Sequence, residues 1–263
     1  MKKIAMTLCA LLCALTAGAI DRVVLIDKSE MTVSPDEILH LPGLGLGLRC
    51  GPDSVMMLDN PDFDAMRWHE PNDARSIVGC GGAVYAAEGD SIYRVATDSL
   101  PRQSVGRLDN EQFTLHAATD STFYALTADE DFSCVYEINP SDRTCIPFFS
   151  VEGALLKIST LGQNTMLWID DSILAASPEG QLVPVFVSPT ISDMVLTPVG
   201  LMTATAEGLN WTTAPGKGTT LTDEAVARVW WDDADVLYYL TAGGDLHAII
   251  GLEEAYTRVS GTR

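Results

Sequence analysis

The stretch GLMTATAEGLNWTT, Gly200 to Thr213, repeats in outline a segment more than a hundred residues earlier, GGAVYAAEGDSIYRV, Gly81 to Val95. Self-similarity at a fixed period is how repeat folds show themselves in sequence. Working outward from these two segments, an apolar strand of the same kind can be anchored on Met56, Tyr85, Tyr124, Leu167, Met202 and Tyr238, at intervals of 29, 39, 43, 35 and 36 residues. A short apolar run precedes each anchor: LGLRC, SIVGC, TLHAA, KIST, DMVLT and RVWW. A turn rich in Asp, Glu, Gly or Ser follows it and leads to a third run: AMRWH, SIYRV, CVYEI, SILAA, GLNW and DLHAI. CIPFF and LVPVFV add a fourth run in two of the units.

Strands of four to six residues, separated by acidic or glycine turns and recurring at this spacing, match the four-stranded blade of a β-propeller. A β-sandwich would explain the strands but not the period, and a β-solenoid usually has a shorter repeat with one or two strands per coil. The sequence therefore predicts an all-β fold, a β-propeller of six blades with three to four antiparallel strands each. Each blade has two apolar faces that it cannot bury alone, so the blades must stack in a ring. The segment DRVVLIDKSEMTVSPDEILHL ahead of the first anchor has no repeat of its own. Its Val23–Ile26 run is expected to complete a blade built from the other end of the chain and so close the ring. No long helix is expected.

GLMTATAEGLNW, Gly200 to Trp211, resembles the propeller repeat of the periplasmic sensor regions of two-component regulators, whose units read roughly GLWxGTxxGLxxY. The resemblance covers this one unit well. In AVYAAEGDSIYRV and MLWIDDSILAA the apolar positions persist and most of the glycines are lost. It implies a propeller with an extracytoplasmic binding or sensing role, and it carries over no catalytic residue. Neither the transmembrane segment nor the signalling domains of a whole receptor are expected within these residues.

The first nineteen residues read as an export signal: Lys2 and Lys3, an uncharged run from Ile4 to Leu15, then Ala17-Gly18-Ala19. The run is too short to cross a hydrocarbon core, and the small-x-small triplet is a signal-peptidase site. Cys9 and Cys13 each follow a leucine, which argues against a lipoprotein signal. The expected domains are residues 1–19 as signal and 20–263 as one propeller, placed in the periplasm or at the cell surface. Without the signal, 244 residues carry 14 basic and 36 acidic side chains, a formal charge of −22. Such a surface repels nucleic acid and anionic lipid. No nucleic-acid partner and no membrane insertion are expected.

Four cysteines, Cys50, Cys80, Cys134 and Cys145, remain in an oxidising compartment. CVYEINPSDRTC reads as a hairpin around Asn139–Asp142, which makes Cys134 and Cys145 the candidate disulfide. No CxxC occurs and His40, His69, His116 and His247 are scattered, so neither a metal site nor any cofactor is expected. LDNPDFDAM and WDDADV are acidic but lack the glycine and distal glutamate of a helix-loop-helix calcium site. There is no GxSxG, HExxH or phosphate loop, and no sialidase SxDxGxTW box. Trp68, Trp168, Trp211, Trp230 and Trp231 fall inside strand runs and are assigned to packing.

These absences favour a non-enzymatic binding or scaffold module with a protein or glycan partner. The alternatives are a hydrolase sited in the central channel, where Asp193 and His116 are the titratable candidates, and a binder of acidic carbohydrate. One site can still be named. Counting ten residues back from each anchor gives Leu46, Arg75, Thr114, Lys157, Ser192 and Arg228, where the innermost strands begin. Arg75, Lys157 and Arg228 are therefore the candidate ligand-binding residues, a basic cluster at one mouth of the channel able to grip an anion. The competing reading pairs each with a nearby acid, such as Arg75 with Asp73 or Arg228 with Asp223.

Overall fold

The structure, a computed structural model, describes residues 21–26, 37–41, 45–49, 54–57, 65–67, 76–96, 101–110, 112–119, 121–128, 131–177, 181–231 and 236–260. It is a β-propeller of four-stranded antiparallel sheets. After β1 (Asp21–Ile26) come β2 (Glu37–Leu41), β3 (Gly45–Arg49), β4 (Ser54–Met57) and β5 (Ala65–Arg67), which form one sheet. The next holds β6 (Ser76–Cys80), β7 (Ala83–Glu88), β8 (Ser91–Arg94) and β9 (Gln103–Arg107), followed by β10 (Phe113–Ala117), β11 (Phe123–Ala128), β12 (Phe132–Asn139) and β13 (Thr144–Glu152). Two more are β14 (Leu155–Leu161), β15 (Asn164–Ile169), β16 (Ser172–Ala176) and β17 (Leu182–Val187), then β18 (Ile191–Thr197), β19 (Gly200–Thr205), β20 (Gly208–Ala214) and β21 (Lys217–Thr222). The last joins β22 (Val226–Trp231), β23 (Val236–Thr241) and β24 (Leu246–Ile250) to β1.

The core lies between the sheets. Tyr85, Ile92 and Val105 of one blade meet Leu115, Phe123 and Ile138 of the next, and Tyr124 and Val135 then meet Leu155, Ile158 and Leu167. Ile173 packs against Met194 and Leu201. Met202, Leu209 and Trp211 close on Val229, Leu237, Tyr239 and Ile249. These packed faces account for five blades, where the anchor intervals predict six. The remaining sheet, β2–β5, is described through its backbone pairing alone, with β2 running beside β6 and β22.

The pairing also corrects the first unit. Met56 lies on β4, a third strand, and Leu46 on β3, a second strand, so neither holds the position assigned to it. The innermost strand of that unit is EILHL, which in sequence merges with the segment ahead of the repeats. Counted by true second strands, the units begin at Gly45, Ala83, Phe123, Asn164, Gly200 and Val236, at intervals of 38, 40, 41, 36 and 36 residues. As expected, the N-terminal strand completes a blade made from the C-terminus: Asp21 pairs with Ile250, Val23 with Ala248 and Val24 with His247.

GLMTATAEGLNWTT owes its pattern to two turns. Thr197 Oγ1 donates to Gly200 O at 2.8 Å, and Thr205 Oγ1 to Gly208 O at 2.9 Å. Both glycines sit at positive φ, 134° and 142°. A Cβ at Gly200 would lie 2.5 Å from Thr212 O, and one at Gly208 only 2.0 Å from Thr222 O, so no other residue fits. The tryptophan of the motif donates its indole N–H to Val199 O at 2.9 Å and packs in the interblade core.

After Gly251 the chain turns into a helix, α1 (Leu252–Ser260), an element too short to stand out from the repeats. Glu253 and Glu254 occupy its first turn, where the helix dipole favours acids. Leu252, Ala255 and Tyr256 cover the core around Trp211.

Candidate functional site

The innermost strands β6, β10, β14, β18 and β22 surround a cavity of about 300 Å³ in the central channel. Its wall includes Thr114, Lys157, Ser192 and Arg228, four of the six positions obtained by counting back from the anchors. Of the three candidate basic residues, the structure therefore brings together Lys157 and Arg228. Arg75 lies outside the described residues, although its neighbour Ser76 lines the cavity.

A repeated irregularity puts these side chains there. The ladder slips between Leu155 and Lys157, between Ile191 and Asp193, and between Val226 and Arg228. Each slip is a β-bulge at the same place in three consecutive innermost strands. A bulge lets two successive residues serve one side of a strand. Leu156 and Lys157 both line the cavity, as do Ser192 and Asp193. The paired rungs of β6 and β10 carry no such slip.

Asp193 is buried, and its carboxylate links three blades. Oδ1 accepts from Lys157 Nζ at 2.5 Å and from its neighbour Met194 N–H at 2.8 Å, while Oδ2 accepts from Val229 N–H at 3.0 Å. Lys157 thus has an acidic partner, though one from the adjacent blade rather than a sequence neighbour. Arg228 does not pair with Asp223. Its Nη1 donates to the carbonyls of Ala227, at 2.8 Å, and Ser192, at 3.4 Å, and it makes no ion pair among the described residues. His116 Nε2 lies 2.8 Å from Thr114 Oγ1. Burial, and then the charge of Lys157, push its pKa down from 6.5 to about 3, so the imidazole is neutral. Trp168 and Trp230 also face the cavity, beyond the packing role assigned to them.

A second feature lies on the outside. The edge strands β13 and β17 belong to adjacent blades and flank a groove of about 720 Å³ lined by Phe148, Phe149, Val151, Leu167 and Leu182. Ile146, Phe148 and Val183 are 56%, 55% and 48% exposed. Both strands carry a Pro-x-Phe sequence, Pro147-Phe148-Phe149 and Pro184-Val185-Phe186, and both ladders slip there. A proline without an N–H and a bulge are devices that keep an edge strand from pairing indiscriminately. Both runs were visible in the sequence as fourth strands, but nothing in them showed which side chains stay exposed.

The hairpin around Asn139–Asp142 forms as expected, with Asn139 Oδ1 accepting from the N–H groups of Ser141 and Asp142. The disulfide does not: Cys134 and Cys145 are free. Cys134 stands opposite Ser150 and Cys145 opposite Ile138, four rungs away. That is about 13 Å along the strands, well beyond what a disulfide spans. Cys80 is buried, with its thiol 3.8 Å from Thr119 O, and Cys50 lies outside the described residues, as do the signal segment and the acidic cores of LDNPDFDAM and WDDADV. Glu224, Asp245 and His247 each bring one potential metal-ligand atom within 4.8 Å of the others. The scatter of the four histidines along the sequence concealed that grouping.

No protein-family model matches the chain, and no curated protein matches it by sequence. Solved structures do share its fold. A luciferin-regenerating enzyme superposes with a TM-score of 0.66 at 10% identity over 89% of this chain and 96% of that one. YCF48 bound to D1 peptide gives 0.60 at 12% identity over 90% and 96%. The extracellular domain of BT4673 from B. thetaiotaomicron, a hybrid two component system by its description, gives 0.55 at 14% identity over 86% of this chain and 33% of that one. At such identities the likeness is one of fold. The chain is a β-propeller whose structural neighbours include the sensor-region propellers that its Gly200–Trp211 unit resembles.

Proposed function

We propose that this chain is an exported, non-enzymatic propeller that binds a protein partner through the outer edges of β13 and β17. Exposed apolar side chains on the edges of two adjacent blades carry the reading. Ile146, Phe148 and Val183 remain more than 45% exposed in a chain of formal charge −20, and exposed apolar patches of this kind mark interaction sites. YCF48, which shares the fold, is described bound to a peptide. Export is supported by the lysines, apolar run and Ala17-Gly18-Ala19 at the start of the sequence. A ring of six blades is supported by the position of β2 between β6 and β22 and by the nearly even spacing of the second strands.

The test is capture from the native envelope by a tagged chain of residues 20–263, in parallel with the I146D/V183D variant. A defined partner protein retained by the first and lost by the second, at equal melting temperature, is expected. Equal capture by both, or no protein captured by either, rejects the reading. A glycan-array signal without a protein partner would move the function to carbohydrate binding.

A further inference from the structure

We propose that the central channel binds a small carboxylate, held by the Arg228 guanidinium, with the apolar part of the ligand against Leu156, Trp168 and Trp230. Charge is the first ground. The chain has 36 acidic and 16 basic residues, yet the titratable groups described around this cavity are Lys157, Asp193, Arg228 and a neutral His116, a net charge of +1. Lys157 is matched by Asp193. Among the described residues Arg228 is the cation without an acidic partner, and a positive wall inside an acidic shell concentrates anions.

Geometry is the second ground. Arg228 Nη1 is held by two carbonyls. That fixes the guanidinium and leaves its other N–H groups, which no described acceptor takes, for the planar two-point grip that suits a carboxylate. The bulge in β22 places Arg228 in the wall, and the bulge in β14 turns Leu156 into it, where this leucine is 46% exposed. An exposed aliphatic side chain and two tryptophans beside one fixed cation make a polar anchor with apolar walls, the usual build of a small-ligand pocket. A volume of about 300 Å³ suits a small organic acid. The carboxylate could belong to a free acid or to the C-terminus of a bound peptide, and the two sources are separable.

Calorimetry on the chain of residues 20–263 uses phenylacetate against its neutral isostere phenylacetamide, and N-acetyl-Gly-Phe against its C-terminal amide. The acid of at least one pair should bind roughly tenfold or more tighter than its amide, and more weakly as salt rises. R228Q should erase that preference and R228K restore part of it. If R228Q does not fold, L156E, at an already exposed position, should weaken the acid several-fold more than the amide, since both lose the apolar contact and only the acid meets the new negative charge. Binding by phenylacetate alone identifies a free acid, and binding by the peptide acid alone a chain terminus. Absence of binding by either acid, equal binding of acid and amide, or an unchanged preference in both R228Q and L156E overturns the assignment.

Discussion

One carboxylate at Asp193 serves three innermost strands, and its removal is the sharpest single-residue test of the channel. D193A would leave Lys157 half-buried without a counter-charge and Val229 N–H without its acceptor. A loss of about 3–5 kcal/mol in denaturant unfolding is expected, and D193N, which keeps an acceptor, should lose less. His116 gives the same region a pH signature. Its folded pKa lies below the unfolded value of 6.5, so between about 3 and 6.5 the unfolded chain binds more protons and stability rises with pH. Relative to H116N, the native protein should therefore lose stability as pH falls from 7 toward 4, with a slope approaching about 1.4 kcal/mol per pH unit. Equal pH dependence in the two proteins contradicts a neutral imidazole at His116. At this scale the sequence was legible in part. Counting back from the anchors found Thr114, Lys157, Ser192 and Arg228, because blades repeat. It could not find Leu156 as a channel residue or exclude the Cys134–Cys145 bond, because both depend on ladder slips and register that composition does not encode.

Among the elements, the turn before β20 is the least tolerant of change. A methyl group on Gly208 meets Thr222 O at 2.0 Å, and the residue must also hold φ at 142°. G208A should cost about 2–4 kcal/mol, with the pairing of β20 to β21 opening first. Hydrogen exchange would show it as faster exchange at Leu209–Thr212 than elsewhere in that blade, and unchanged protection there would refute it. The glycines of GLMTATAEGLNW were readable because backbone strain selects for them. By contrast, β9, β21 and α1 escaped notice. β9 and β21 are half-polar outer strands, Gln103–Arg107 and Lys217–Thr222, whose pattern resembles a loop, and α1 has too few turns to set up a helical period.

For the whole molecule, the interdependence of stacked blades makes truncation decisive. Deleting residues 20–43 removes β1, the partner of β24, together with β2, which runs beside β6 and β22. The melting temperature should fall by about 10 °C or more, in one transition rather than two, since each blade buries its faces on its neighbours. A truncated chain that melts with the full one would mean that the N-terminal strands do not support the rest. The propeller itself was legible in the sequence because every blade must satisfy the same packing. The first unit was misplaced because its innermost strand, EILHL, precedes the segment that the repeat pattern recognises.

The pairing of Asp21 with Ile250 also sets an order in time. The strand that completes the last blade leaves the ribosome before the other described strands, and the partner of Asp21 lies 229 positions further along the chain. Until that partner is made, β1 is an extended segment with an open edge, and the growing chain is an arc rather than a ring. Loop closure over that distance is entropically slow. Any factor that holds the nascent chain extended would thus act chiefly on this one joint, by postponing the meeting of its two ends.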